Sequence, residues 1–337
     1  MFKQFYNELS IALNIEPDGP ILIKASESGA DPTHPDMEFV RTLYQGRETV
    51  YIPGSSLKGV LRAHCERLAR TVQPEDLSEK LEDKRLSCDP LDKKLSCGRQ
   101  WDQVKNAEKT KASPSEGQEV SSENIYRKSC FVCRLFGNTS LASRLRVEDA
   151  YPENPDSVRL EERNGVPIDR VFGSVAVGVG PFNYEVATSG IFKSSIRIRN
   201  FTTAQAGLLA LALRDLAAGR VGVGFGKSRG LGRVKAIINA VSVRYPACEL
   251  NGKLTLLGSD QPGTDAHELA GAGAFIAGKG YGLNSSDAVK LPAGISLGKD
   301  ESGEPGVKVE QAEQIKELWK ACVGSWGKVV EEVAKGA

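Results

Sequence analysis

The sequence predicts an α+β fold built in several distinct parts. Runs rich in apolar and β-branched residues read as strands at LSIALNI (9–15), ILIKA (21–25), TVYI (49–52), IFKSSIRIR (191–199) and RVKAIINAVSV (233–243). Apolar residues recur at helical spacing in SSLKGVLRAHCERLAR (55–70) and TTAQAGLLALALRDLAAG (202–219). Between Thr71 and Lys128 neither period holds, and 23 of those 58 residues are charged.

In chain order, the first strand ends at Glu16-Pro-Asp-Gly-Pro20, a turn cluster suited to a hairpin or sharp reversal before ILIKA. Gly29, Pro32 and Pro35 exclude helix and regular strand from about 26 to 37. A short strand then leads into the first helix, with Ser55 or Ser56 as its N-cap and Leu57, Val60, Leu61, His64 and Leu68 on its core face. Lys58 and Arg62 share another face. Residues 163–185, RNGVPIDRVFGSVAVGVGPFNYE, read as an exposed β-hairpin. The second helix begins near Thr202 or Thr203 and ends before Gly219. A glycine-rich loop and an alternating strand follow. The last 90 or so residues have a Gly/Ala/Ser-rich middle, then an amphipathic helix expected from Val309 to about Lys335.

Composition narrows the function. The formal charge is +1, from 44 Lys and Arg against 43 Asp and Glu. Yet residues 191–245 hold ten basic side chains and one acid, whereas 246–337 hold nine basic and thirteen acidic. A basic central segment of this kind is an expected footprint for a phosphate backbone. No run of 18 apolar residues exists, and MFKQFYNELS has neither region of a signal peptide, so a cytoplasmic chain without a membrane is expected.

Gly226-Lys227-Ser228 is not a P-loop: the residue five before Gly226 is Val221, and the segment runs from helix to strand. What remains is a glycine loop presenting Arg220, Lys227, Arg229 and Arg233, able to admit a close backbone or a polyanion. Seven cysteines in a reducing compartment suggest metal ligands or buried thiols. Cys88-x8-Cys97 and Cys130-x2-Cys133 supply four thiols for a structural Zn2+, which would order an insertion lacking a core; free thiols are the other reading. Cys65, Cys248 and Cys322 are expected in the core. Asp31, His34, Asp36 and Glu38 cluster in the irregular loop, where they could bind a divalent cation, position a hydroxyl or simply form turns.

The ordered set YIPGSSLKGVLR (51–62), CRLFG (133–137), SRLRVEDA (143–150), IDRVFG (168–173) and GVGFGKSRGLGRV (222–234) resembles the RAMP superfamily of CRISPR effector proteins, nearest the backbone subunits of type III complexes. The resemblance spans roughly residues 5–245. It implies a modified ferredoxin-like (RRM-like) palm over 1–70 and 129–245, a β-hairpin thumb at about 160–185, and an inserted zinc-binding subdomain at 71–128 completed by Cys130 and Cys133 from the palm edge. Residues 246–337 would be a C-terminal extension that packs on the palm or docks a neighbouring subunit. It further implies binding of guide CRISPR RNA, pairing with single-stranded target RNA, and assembly with other effector subunits including neighbouring backbone subunits. Ser55, Ser56, Lys58 and Arg62 would hold guide phosphates with Lys227 and Arg229, and the thumb would contribute Asp169, Arg170 and Phe172. Asp36, five residues before Arg41, best matches the family's catalytic acid, with Asp31 second. The implied reaction is target cleavage by a 2′-hydroxyl with Mg2+ or Mn2+. The alternative is a non-catalytic guide-binding subunit.

Overall fold

A computed structural model describes residues 3–25, 35–74, 85–92, 96–99, 121–176, 178, 181–259, 263–276 and 278–335. Its palm follows from two amphipathic helices and four long or central strands. In chain order these are β1 (Glu8–Pro17), a hairpin of β2 (Arg41–Tyr44) and β3 (Arg47–Val50), α1 (Gly54–Thr71), α2 (Ser122–Lys128), α3 (Phe131–Phe136), β4 (Leu145–Val147) and β5 (Tyr151–Pro152). Then come β6 (Leu160–Gly165), β7 (Phe182–Ala187), β8 (Phe192–Arg199), α4 (Thr203–Ala217) and β9 (Val234–Arg244).

The strands lie in the order β9-β1-β8-β4 with every adjacent pair antiparallel. β1 and β4 thus run parallel with β8 between them, joined by the α1 crossover. This is the split βαβ arrangement of the ferredoxin-like fold. Alternation assigns the faces. Leu9, Ile11, Leu13 and Ile15 of β1 are buried beneath the helices, while Ser10, Ala12 and Asn14 point the other way.

Several local expectations change. Residues 21–25 form no regular strand; Ile21 bridges Ala187 and Lys24 bridges Phe39, so the reversal at 18–20 feeds the base of the β6–β7 hairpin instead. Neither Ser55 nor Ser56 caps α1. Pro53 occupies the N-cap position, and the Asp149 carboxylate accepts the Gly54 N–H at 2.7 Å, so a distant acid replaces the serine. For α4 the reading holds: Thr202 and Gln205 form a capping box.

The C-terminal region is knitted into the palm. Its elements include β10 (Cys248–Asn251), β11 (Lys253–Leu256), β12 (Thr264–Asp265), β13 (Glu268–Ala270), the one-turn α5 (Gly273–Ile276), β14 (Ala288–Lys290), β15 (Gly298–Lys299), β16 (Pro305–Val309) and α6 (Ala312–Lys335). β16 pairs with β9 and extends the main sheet. Val309, expected at the start of the last helix, belongs to this strand because it pairs with Val241. Helix α6 lies on α4, which explains why α4 is buried on nearly every face. Asp287 accepts the Thr203 N–H and hydroxyl and the Gly273 N–H, tying the extension to the start of α4.

At the crossing of α4 and α6 the backbones approach so closely that a Cβ on Gly207 would lie 2.1 Å from the Cys322 carbonyl oxygen. Gly207→Ala should therefore cost about 1–3 kcal/mol, the usual penalty for overpacking a core. Denaturant unfolding checks this, and a midpoint equal to the parent's would place the helices further apart than described.

Candidate functional site

The four predicted thiols meet. Cys88 and Cys97 come from the insertion, and Cys130 and Cys133 frame the start of α3; all four are buried, and their sulfurs lie within 4.8 Å of one another. A tetrahedron with metal–sulfur bonds of about 2.3 Å requires sulfurs about 3.8 Å apart. Cys88 Sγ and Cys133 Sγ are separated by 3.7 Å. The cluster can therefore hold a structural metal such as zinc. Donors surround it: the Cys130 N–H donates to Cys97 Sγ at 3.2 Å and the Cys133 N–H to Cys130 Sγ at 3.4 Å. Hydrogen bonds among the cysteines, led by Cys130, hold the Cys97 thiol far below its usual range and bring Cys88 down to about 7. Burial pushes Cys130 of the cluster up, and likewise the isolated core thiols Cys65, Cys248 and Cys322.

Helix α1 lies against this cluster. Lys58 donates to Ser143 Oγ at 2.8 Å. Burial, followed by the charges of Arg62 and Arg146, holds its ammonium below the usual lysine range. Such a cation gains from an added anion. Arg62 spends its donors elsewhere, on Glu66 (2.9 Å), the Gly137 carbonyl (3.1 Å) and Cys133 Sγ (3.6 Å). Ser55 is exposed at the first turn and Ser56 half-buried beside it.

The basic central segment does not form one basic patch. Arg199 and Arg244 grip Glu8, Arg214 and Arg220 grip Asp215, Arg233 and Lys235 grip Asp18, Lys193 meets Glu153 and Arg197 meets Glu148. The sum over 191–245 overlooks acids that folding brings from other segments. Among the described residues, only Lys227 and Arg229 of that segment have no ion pair, and both project from the glycine loop. That loop is held by Gly224, at φ +84°, where a Cβ would lie 2.2 Å from the Leu22 carbonyl oxygen. Burial and then the charge of Arg67 lower the Lys227 pKa. The open sheet face carries Ser10, Ala12, Ser195, Arg197 and Ser242 rather than the rings on which RRM sheets stack bases.

The β6–β7 hairpin stands where the sequence placed it, between β5 and β8, and organises a second centre. Asp169 shapes its tip: its Oδ1 accepts the Val171 and Phe172 N–H groups at 2.7 and 2.9 Å, and these bonds lower its pKa. Asp169 is thus a turn-former that presents its neighbours. Val171 and Phe172 are 84% and 81% exposed, and Arg170 is exposed between them and Asp169. Where the β6–β7 ladder meets that turn, Asp36 Oδ2 accepts the Asn183 N–H at 2.9 Å. One residue away, the Arg229 guanidinium lies 5.2 Å from the centre of the Phe182 ring and 5.9 Å from that of Phe225. Asp36 and the glycine loop therefore converge at the start of β7. Arg41 instead pairs with Glu185 at 2.6 Å. Asp31 and His34 lie outside the described residues.

Sequence reasoning missed two arginines and an acid. Arg85, buried within the insertion, donates to Cys97 Sγ at 3.1 Å. Arg67 faces the glycine loop, and Asp149 anchors α1. An arginine three residues before the first cysteine offered a faint signal; the other two depend on tertiary contacts.

Among the described residues no helix is long and apolar enough to cross a membrane. The RAMP superfamily model matches residues 20–235. No curated protein matches. Among solved structures, the chain is similar to one of a "Type IV-B CRISPR Complex", at 18% identity and TM-score 0.43 over 68% of this chain and 90% of that one.

The thiol cluster predicts about one bound zinc per chain by elemental analysis, with Cys97→Ser losing it. A folded, metal-free chain with four free thiols would show that the cluster is only packing.

Proposed function

The chain belongs to the RAMP superfamily, and from that premise we propose that it is a backbone subunit of a type III CRISPR effector complex that holds guide RNA and cuts the complementary RNA. One observation chiefly supports this reading: Asp36 and Arg229, nearly two hundred residues apart in sequence, meet on the adjacent residues Asn183 and Phe182 at the turn-side end of the hairpin ladder. An acid and a cation so placed flank the path an RNA backbone would take between hairpin and palm.

In this reading residues 1–70 and 129–245 form the palm and thumb, 71–128 the metal-ordered insertion, and 246–337 a buttress for α4 and the sheet edge. Ser55, Ser56, Lys58 and Lys227 hold guide phosphates, and Arg229 adds a charge beside the hairpin at Phe182. Phe172, with Arg170 beside it, is the wedge that separates a base from its neighbours. Base pairing then reads the target while the protein reads the backbone. Neighbouring backbone subunits and other effector subunits complete the complex.

For cleavage, the target's 2′-oxygen forms a bond to the adjacent phosphorus as the bond to the 5′-oxygen breaks. Asp36 orients the 2′-hydroxyl and takes its proton, and the departing 5′-oxygen gains a proton from water. The products are a 2′,3′-cyclic phosphate and a 5′-hydroxyl. A Mg2+ or Mn2+, when bound, would supply charge neutralisation at the phosphate, and Asp36 would then hold the ion instead of taking the proton. The hydrogen bond to Asn183 fixes the carboxylate's direction. Asp31 is the second candidate acid.

Asp36→Ala in a reconstituted complex should slow its cut at least about 100-fold while guide binding persists. An unchanged cut with Asp36→Ala would remove it from the site, and loss with Asp31→Ala would transfer the role. If both variants cut normally, the chain is a non-catalytic guide-binding subunit. Separately, Lys58→Ala and Lys227→Ala should each reduce the salt dependence of guide binding by about 0.7 in the log–log slope, the signature of one lost single-strand phosphate contact. Unchanged slopes would place the guide elsewhere.

A further inference from the structure

The contacts of the thiol cluster carry one more assignment. A divalent ion bound by four thiolates is a dianion, and burying a dianion is costly unless cations accompany it. Two guanidinium groups touch this cluster. Arg85 is almost wholly buried and donates from Nη2 to Cys97 Sγ at 3.1 Å. Arg62, on helix α1, donates from Nη2 to a different sulfur, Cys133 Sγ, at 3.6 Å.

Each arginine is also fastened to the frame. The Arg85 carbonyl accepts the Phe131 N–H and that of Leu86 the Val132 N–H, so the strand-like segment carrying Arg85 is laced to the first turn of α3 between the two cysteines of the Cys130-x2-Cys133 pair. Arg62 is braced by Glu66 and by the Gly137 carbonyl at the end of α3. The Arg62 guanidinium is thus preorganised by its own side-chain bonds, and Arg85 is held through its backbone and its burial.

We propose that Arg62 and Arg85 are the outer partners of a four-cysteine metal centre, holding the divalent ion by donating to its thiolates and offsetting their excess negative charge, and coupling α1 to the insertion. Arg62 is then a positioning residue of the metal centre rather than a guide-phosphate contact, although its sequence neighbourhood suggests the latter. Partners of this kind typically govern metal affinity by about 10–100-fold.

The test compares zinc transfer from the purified full chain to the chromogenic chelator 4-(2-pyridylazo)resorcinol for the parent, Arg62→Gln, Arg85→Gln and Arg70→Gln. Arg70 contacts Glu66 and the Cys88 carbonyl but no sulfur, and so controls for general loosening of α1. The expected result is transfer about 10–100-fold easier from the Arg62 and Arg85 variants and parental transfer from Arg70→Gln. Arg62 lies at the edge of the cluster with its side chain 29% exposed, so Arg62→Gln decides the matter if Arg85→Gln does not fold. Parental transfer from Arg62→Gln, or equal weakening by Arg70→Gln, would overturn the assignment. The proposal rests on the cluster being a metal site: a parent chain without zinc removes both, whereas zinc present with unchanged transfer removes the arginine role alone.

Discussion

The position of helix α1 is the constraint on which the rest of the structure depends. Its apolar face, with Leu57, Leu61, Cys65 and Ala69, is fixed by the palm core. That alone leaves rotation and sliding poorly determined, because apolar burial is non-directional. Polar contacts settle both. Asp149 takes the first amide of the helix, Lys58 and Arg62 reach the end of α3 and the segment beyond it, and Arg70 reaches the insertion at Cys88. On the other flank His64 Nε2 lies 2.8 Å from Asp215 of α4. The end of α3, the Cys88 segment and α4 are all indexed to this one helix.

The same logic explains how a nearly neutral chain can act on a polyanion. Eight of the ten cations in residues 191–245 are committed to ion pairs, and Glu8, Asp18 and Asp215 each hold two of them. Such pairs add modest stability, and their main effect is to remove charge from the surface field. What is left is local. Lys58 lies beside Arg62 and Arg146, and Lys227 beside Arg67, with burial already depressing both lysines. A phosphate there relieves repulsion as well as forming new contacts, so a few residues suffice where a broad basic face is lacking.

Much of the palm was legible because its strands and helices obey simple periods. β1, β8, β9, α1 and α4 lie close to where alternation and helical spacing put them, and the thiol cluster followed from spacing plus the need to order a charged insertion. The misreadings have a common cause. Ser55 and Ser56 lost the cap to Asp149, Val309 joined a strand through Val241, and the basic segment was neutralised by Glu8, Asp18, Glu148 and Glu153. In each case a partner far away in sequence outcompeted the local preference. Asp169 illustrates the converse: it was singled out through its motif, and its structural work is local, holding the turn that exposes Phe172.

The central claim is that RNA runs along one face, from the start of α1 past the glycine loop to the β6–β7 hairpin, and not across the open sheet. Ultraviolet cross-linking of the assembled ribonucleoprotein, read by mass spectrometry of the cross-linked peptides, tests this most directly. The account predicts RNA adducts on peptides containing Lys58, Lys227 and Phe172, with none on the Ser10 and Ser242 stretches of the sheet. Adducts concentrated on those sheet peptides, with the α1 and glycine-loop peptides unmodified, would contradict it.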